Sequence, residues 1–321
     1  MTARVVSFIT KKGGVGKTTL TYLTGEFLAR EIRRADNEMH RVLLIDMDEQ
    51  CNLSTVMVGG ERWKEAHEAG QTTFQMFYDA LHNTKVFDIE KAIIPTNNIR
   101  SPGKIDVLPC SIRLQDLKAD LKGVGQNTRF RTLSPTNVLE RHLNKVKDNY
   151  DYILIDCPPD MGYPTLNALA VSDGYIIPTY PEFISVFGIP QVLKIVKEFS
   201  EELGREIVPY GIVINRFRNG VNYHNATVRN LKADKNNPPI FDTLIIERAP
   251  LGESAEFTEY ISTMKGKFGN NAQGYETYRR FVQEFIEKVN LKESASMLQD
   301  GSQTDSQVET NVKPEKVDLT F

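Results

Sequence analysis

A lysine and a threonine set behind closely spaced glycines form a pattern that binds phosphate. This chain carries it near the start, where Lys12-Gly13-Gly14-Val15-Gly16-Lys17-Thr18-Thr19 follows an apolar run at 5–9. Such glycines let the backbone fold into a ring whose N–H groups point at phosphate oxygens. A helix starting near Lys17 adds its positive N-terminal end. The Lys17 ammonium is then placed to neutralise charge between the β and γ phosphates, and the Thr18 hydroxyl to ligate Mg2+. Residues 12–19 are therefore expected to bind a nucleoside triphosphate. The competing reading is a glycine-rich turn with chance lysines. An apolar strand before it and helical spacing after it argue against that.

Phosphoryl transfer also needs carboxylates for the metal and the attacking water. Two segments supply them. One apolar run ends in Asp46-Met47-Asp48-Glu49-Gln50-Cys51-Asn52, and another in Asp156-Cys157-Pro158-Pro159-Asp160-Met161-Gly162. A carboxylate at the C-terminal end of a strand faces the ligand crevice of an open α/β sheet. Asp156 is expected to hold Mg2+ through water. Pro158, Pro159 and Gly162 are expected to shape a switch loop near the γ-phosphate. Taken alone, these acids could be solvated strand ends; the phosphate loop favours the metal reading. No histidine or lysine stands out as a strong general base. That suits a reaction run by in-line positioning and charge neutralisation.

The standard Walker A motif has a glycine six residues before its lysine. Here that place is Lys11, and a second lysine, Lys12, directly precedes Gly13-Gly14. This is the deviant Walker A signature, and the sequence resembles the ParA/MinD family of ATPases. The segment Asp46-x-Asp48-Glu49-Gln50-x-Asn52 is similar to that family's Asp-x-Asp-Pro-Gln-x-Asn, with Glu49 in place of Pro. The likeness continues through Thr165-Leu166-Asn167-Ala168-Leu169, with Asp160 where a serine is common. It also covers 246–256 near the C-terminal end. The resemblance implies that Lys12 reaches across a homodimer to the partner's nucleotide. It implies that Asp48 orients or activates the attacking water and that Asp46 supports the magnesium shell. The expected catalytic set is Lys12, Lys17 and Asp48, and the metal set Thr18, Asp46 and Asp156. Hydrolysis should be slow without a partner.

GTPases of this broad class read guanine with Asn-Lys-x-Asp. The equivalent strand end here is Asn215-Arg216-Phe217-Arg218, with no Asp, so ATP is the expected nucleotide. Asn215 either contacts adenine or is an ordinary strand-end asparagine. The ParA branch binds DNA without sequence specificity as ATP dimers. Arg216, Arg218, Arg229 and Lys232, with Lys235, Tyr223 and His224 nearby, are the candidate contacts. Such binding needs several Lys and Arg on one face to release counterions. The alternative is an ordinary solvated helix face. The resemblance thus implies an ATPase that positions or segregates a plasmid, a chromosome or a protein cargo, with a ParB-like or cargo-adaptor activator. A MinD-like membrane ATPase is the alternative. It needs a basic amphipathic C-terminal helix, whereas this tail is acidic, so no membrane partner is expected. An iron–sulfur protein of the nitrogenase-reductase type lacks the expected pattern around Cys110 and Cys157. A tyrosine kinase of this class would end in a tyrosine cluster, and no tyrosine follows Tyr278.

The elements that must position these residues read as alternating strands and helices. Near-continuous apolar runs at 5–9, 42–45, 105–108, 152–155, 175–177 and 207–214 suit parallel strands covered on both faces. Helical spacing falls at 18–32, 74–81, 138–146, 192–203 and 275–289. The alternation predicts an α/β fold, a mostly parallel doubly wound sheet with helices on both faces, of the P-loop NTPase type. Ser134-Pro135 reads as the start of one helix, after a polar basic loop at 123–135. The 321 residues carry a net charge of −3, so any nucleic-acid surface must be local. Residues 1–292 are expected to form one ATPase domain. The acidic polar tail 293–321 is expected to be disordered. It carries −4, which leaves the body at +1. Three scattered cysteines suit neither a disulfide framework nor a zinc site. No run approaches the ~18 apolar residues of a membrane span, and no signal-peptide pattern opens the chain. A cytoplasmic, nucleoid-associated protein is expected.

Overall fold

Parallel pairing explains how three distant segments reach one site. The structure is a computed structural model that describes residues 3–96, 103–117, 137–182, 186–247 and 263–304. Its strands are β1 (Arg4–Phe8), β2 (Arg41–Asp46), β3 (Ile94–Pro95), β4 (Lys104–Leu108), β5 (Tyr152–Asp156), β6 (Gly174–Thr179) and β7 (Val208–Ile214). They form one sheet in the order β3-β4-β2-β5-β1-β6-β7. Every pairing is parallel except that of β3 with β4. Phe8 pairs with Asp156 in register, and Asp46 pairs with the same Asp156. Neighbouring strands lie about 4.8 Å apart. The phosphate loop after β1 and the acids ending β2 and β5 therefore leave one end of the sheet side by side.

The strands are apolar on both faces because both faces are covered. Val6, Phe8, Val42, Leu44 and Leu154 pack with the helix Lys17–Arg30 and the closing helix Ala272–Thr304. The alternate residues Val5, Leu43, Ile45, Ile153 and Ile155 pack on the other side. Their partners are the helices Thr73–His82, Val138–Leu143, Tyr163–Val171 and Gly188–Leu203. This period of two, with helices on each side, is the doubly wound architecture that strand–helix alternation predicts. Among the described residues no helix is long and apolar enough to cross a membrane.

The structure departs from the sequence reading in three places. The edge strand β3 is two residues long and contains a proline, too short to leave a periodic signal and at the edge position where proline is tolerated. The helix expected to start at Ser134-Pro135 begins at Val138, after Asn137. Ser134, Pro135 and the basic loop before them lie outside the described residues. The closing helix runs on to Thr304, past Glu293, where composition places the start of a disordered tail. Adding residues to a formed helix needs no new nucleus, and Lys292, Glu293, Ala295, Met297 and Leu298 are good helix formers. Residues 305–321 lie outside the described residues, as do 248–262, which hold most of the C-terminal motif that begins at Ile246.

The helix carrying Lys17 is clamped from behind. Lys267 Nζ lies 2.5 Å from Glu26 Oε2, with the two side chains only 6% and 5% exposed. The same ammonium sits over the Tyr22 ring at 4.9 Å. Phe268 and Tyr275 flank Phe27. Breaking a buried pair by removing one partner strands the other charge, whereas replacing both with apolar groups is close to neutral. Lys267→Met should therefore cost about 3 kcal/mol, and Glu26→Met/Lys267→Met should recover most of that loss. Urea midpoints at unchanged slope measure it; a double variant no more stable than Lys267→Met contradicts the pairing.

Candidate functional site

Gly14 and Gly16 take left-handed backbone, at φ 75° and 79°, a region that side-chain-bearing residues avoid. Space around the Cβ positions of Gly13 and Gly14 is open, whereas a Cβ on Gly16 would run into the Asn215 amide. The loop is held from its outer side. Asn215 Nδ2 donates to the Val15 carbonyl at 2.9 Å, and the Tyr180 hydroxyl donates to the Gly14 carbonyl. Because the peptide unit is planar and trans, a carbonyl drawn outward turns the N–H of the next residue inward. Asn215 also accepts from Arg216 N at 2.9 Å. Asn215 thus braces the loop from the strand-end turn, through Val15 on one side and Arg216 N on the other.

Lys17 is 6% exposed. Its Nζ lies 2.7 Å from Asp156 Oδ1 and 3.5 Å from Asp48 Oδ2. Burial disfavours the ammonium, but the Asp156 and Asp48 carboxylates outweigh burial and hold its pKa above the ordinary lysine value. Thr18 Oγ1 donates to Asp156 Oδ2 at 2.6 Å. Burial lifts the Asp48 carboxyl above its usual range, with Lys17 pulling it back. The sequence-expected residues Lys17, Thr18, Asp48 and Asp156 are thus brought together. Hydroxyl and carboxylate oxygens are the ligands that Mg2+ prefers, and it usually keeps several waters besides. With an open glycine backbone and a buried ammonium beside them, these residues fit a magnesium-bound triphosphate. Bound there, the metal would supply charge neutralisation for the phosphates.

Asp46 stands one step behind. It is fully buried. Its Oδ1 accepts from Asp48 N at 3.0 Å, and its Oδ2 from Ser54 N and Ser54 Oγ at 2.9 and 2.7 Å. Both oxygens are engaged by protein, so the support it can lend a magnesium shell is to fix Asp48 and the first turn of the helix Asn52–Val58. Ser54 Oγ in turn accepts from Cys110 N at 2.9 Å, tying the exit of β4 to this loop. All three cysteines are buried and free. Burial pushes the Cys110 and Cys157 thiols up, away from the thiolate form.

Lys12 lies on the rim, where its Nζ is 3.7 Å from Glu182 Oε2 of the same chain, with side chains 32% and 58% exposed. Such exposed pairs are worth about 0–1 kcal/mol, so this one yields readily to another partner. The four DNA-contact candidates are all exposed. Arg216 and Arg218 lie in the turn after β7; Arg229 and Lys232 lie on the solvent face of the helix Asn222–Ala233, whose His224, Val228 and Leu231 face inward. Arg218 pairs with Glu247, and its N–H donates to His224 Nδ1 at 3.0 Å. Lys232 pairs with Asp242 at 2.9 Å. Tyr180, Glu182 and Ser54 are site residues without a sequence signal, since each acts through a contact distant along the chain.

Residues 3–208 match a family described as an AAA domain. The chain is 33% identical over 211 residues to the sporulation initiation inhibitor protein Soj of Bacillus subtilis, covering 66% of this chain and 72% of Soj. Among solved structures it resembles a plasmid partition protein from Borrelia burgdorferi bound to AMPPNP, with TM-score 0.59 and 23% identity, covering 90% of this chain and all of that one. It also resembles cobyrinic acid a,c-diamide synthase from Mycobacterium smegmatis with bound ATP analog and magnesium, with TM-score 0.64 and 19% identity over 88% of this chain and 94% of that one. At those identities the structural likenesses carry the fold alone. The chain belongs to the AAA-domain family and, within it, to the ParA/MinD group of ATPases.

Burial, and then the Asp156 carboxylate, push Asp46 up to about 7 from an ordinary 3.8. A carboxyl raised in the folded state stabilises the protein while protonated and loses that gain as pH climbs between the two values. Asp46→Asn has no such group to ionise. Without nucleotide or magnesium, its stability relative to wild type should therefore improve between about pH 4 and about pH 7. Urea midpoints at the two pH values that stay parallel for the two proteins contradict this.

Proposed function

We propose that this chain is an ATP-switched positioning ATPase that dimerises on ATP, binds DNA without sequence preference, and moves a plasmid, chromosome or protein cargo over it. Such a protein works in the cytoplasm on the nucleoid. The observation that carries the reading is the placement of the two lysines of one loop. Lys17 is buried against Asp156 and Asp48, where it serves its own chain's phosphates. Lys12 is at the rim, in an exposed pair with Glu182. At the rim, rather than beside its own chain's buried acids, the Lys12 ammonium is placed to meet a nucleotide bound by a second copy. Relatives named as chromosome-partitioning proteins, ParA of Myxococcus xanthus and Soj of Treponema pallidum, support the partition reading.

Hydrolysis on this reading runs by positioning. Asp48 lies beside Lys17 and Asp156, and its Oδ1 also accepts from Gln50 N at 3.1 Å. With its orientation set by those contacts, Asp48 holds the attacking water in line. Lys17, and Lys12 from the partner subunit, offset the charge that develops on the phosphates. No side chain here is a strong base, so turnover is slow until an activating ParB-like or cargo-adaptor protein completes the site. Arg216, Arg218, Arg229 and Lys232 supply the DNA face. The Arg218 and Lys232 ion pairs are exposed, and polyanionic phosphates compete with them effectively.

Separate variants test the parts. Lys12→Ala should keep ATP binding and lose ATP-dependent dimerisation, read by light scattering. Asp48→Ala should dimerise on ATP yet hydrolyse it far more slowly. Arg218→Glu/Arg229→Glu should lower ATP-dependent DNA affinity by at least about tenfold and flatten its salt dependence, since each phosphate no longer neutralised removes about 0.9 from the logarithmic salt slope. Unchanged DNA retention in the double variant sinks the DNA reading.

A further inference from the structure

Tyr180 belongs to no motif of the sequence, yet it touches both the phosphate loop and a candidate DNA residue. It leaves the end of β6, which lies next to β1 in the sheet, so it emerges alongside the loop. Its hydroxyl donates to the Gly14 carbonyl. Its ring lies under the Arg216 guanidinium, with 5.0 Å to the ring centre. The neighbouring carbonyl of the loop, Val15, is held by Asn215, the residue joined to Arg216. Arg216 itself is fixed in left-handed backbone at φ 49°, a conformation that non-glycine residues seldom adopt. Its N–H is bonded to the Asn215 side chain. Two consecutive loop carbonyls are therefore set from two neighbouring strand exits, Gly14 by Tyr180 after β6 and Val15 by Asn215 after β7, and Arg216 touches both holders.

We propose that Tyr180 is a positioning residue that couples DNA at Arg216 to ATP at the phosphate loop. A DNA phosphate on the outer side of Arg216 orders its guanidinium over the Tyr180 ring. The ordered ring keeps its hydroxyl on Gly14, and the loop then holds its inward N–H groups ready for the triphosphate. Each ligand favours the same arrangement, so each raises the other's affinity by the same factor. An intramolecular hydrogen bond contributes about 0.5–1.5 kcal/mol, which is a coupling of roughly two- to tenfold. The cation–ring contact adds a comparable amount at an exposed site. The inference rests on the DNA reading proposed above.

The test uses the full chain with a fluorescent ATP analogue and Mg2+, with and without a short duplex of arbitrary sequence. In wild type the duplex should tighten nucleotide binding several-fold. Tyr180→Phe keeps the ring under Arg216 and loses only the hydroxyl. It should bind nucleotide several-fold more weakly in the absence of DNA. The duplex should then give little further gain, while the far-UV circular dichroism of the nucleotide-free protein stays at the wild-type value. A purely structural role leaves the DNA-induced gain intact. A full gain in Tyr180→Phe overturns the coupling, as does a wild type that binds DNA without any change in nucleotide affinity. A wild type that never binds DNA overturns the proposed function, and the coupling falls with it.

Discussion

The rest of the site depends on one buried ammonium. Lys17 sits between Asp156 and Asp48 with almost no exposure. Three acids at this depth would repel one another and suffer heavily from lost hydration. The lysine makes their gathering tolerable, and the raised Asp46 shows how close to the limit it runs. On the proposed function, the same arrangement makes the site a switch. An ammonium flanked by carboxylates is poised between two sets of anions, the protein's own and the phosphates of a nucleotide with its magnesium. Exchanging one for the other changes the electrostatic surroundings of Asp48 and Asp156 at the root of two loops, which is where a dimer or a partner can read it.

Sheet register makes that cluster possible. β1, β2 and β5 are adjacent and end level with one another, at Phe8, Asp46 and Asp156. Each exit loop starts from that line, so residues more than a hundred positions apart meet without long excursions of the chain. Hydrogen bonds then fix what register alone leaves loose. Asp46 pins Asp48 and Ser54, and Ser54 pins Cys110. Tyr180 and Asn215 pin the phosphate loop from outside. Behind it, the Glu26–Lys267 pair holds the loop's helix against the short helix Met264–Phe268, and Phe27 packs on Tyr275 of the closing helix.

Much of this was legible in the sequence, for a physical reason. Phosphate binding needs glycine, lysine and threonine contiguous on one turn, so the residues from Lys12 to Thr19 announce themselves. Asp46, Asp48 and Asp156 are readable because acids where apolar strands end could be plain solvated ends, and the phosphate loop in the same chain tips them to the metal and water. Contacts between segments left no such mark. Tyr180 looks like any strand-end tyrosine, and Glu182 like any surface acid. The brace role of Asn215 needed the position of Val15, two hundred residues away. The two-residue β3 was too short to show a period. The helix past Glu293 left no compositional mark because composition measures the means to bury surface, whereas a helix already nucleated upstream needs only good helix formers to continue.

The central claim is that Lys17 trades its carboxylate partners for nucleotide phosphates. Lys17→Met keeps the length of the side chain and removes the charge. Calorimetric titration of the full-length protein with ATP and Mg2+ reads the consequence directly. Taking away a buried ammonium that meets a polyphosphate should weaken binding by about a hundredfold or more, with the closing helix still folded by circular dichroism. Binding within a few-fold of wild type would mean that the triphosphate does not rest on Lys17, and this account of the site would be wrong.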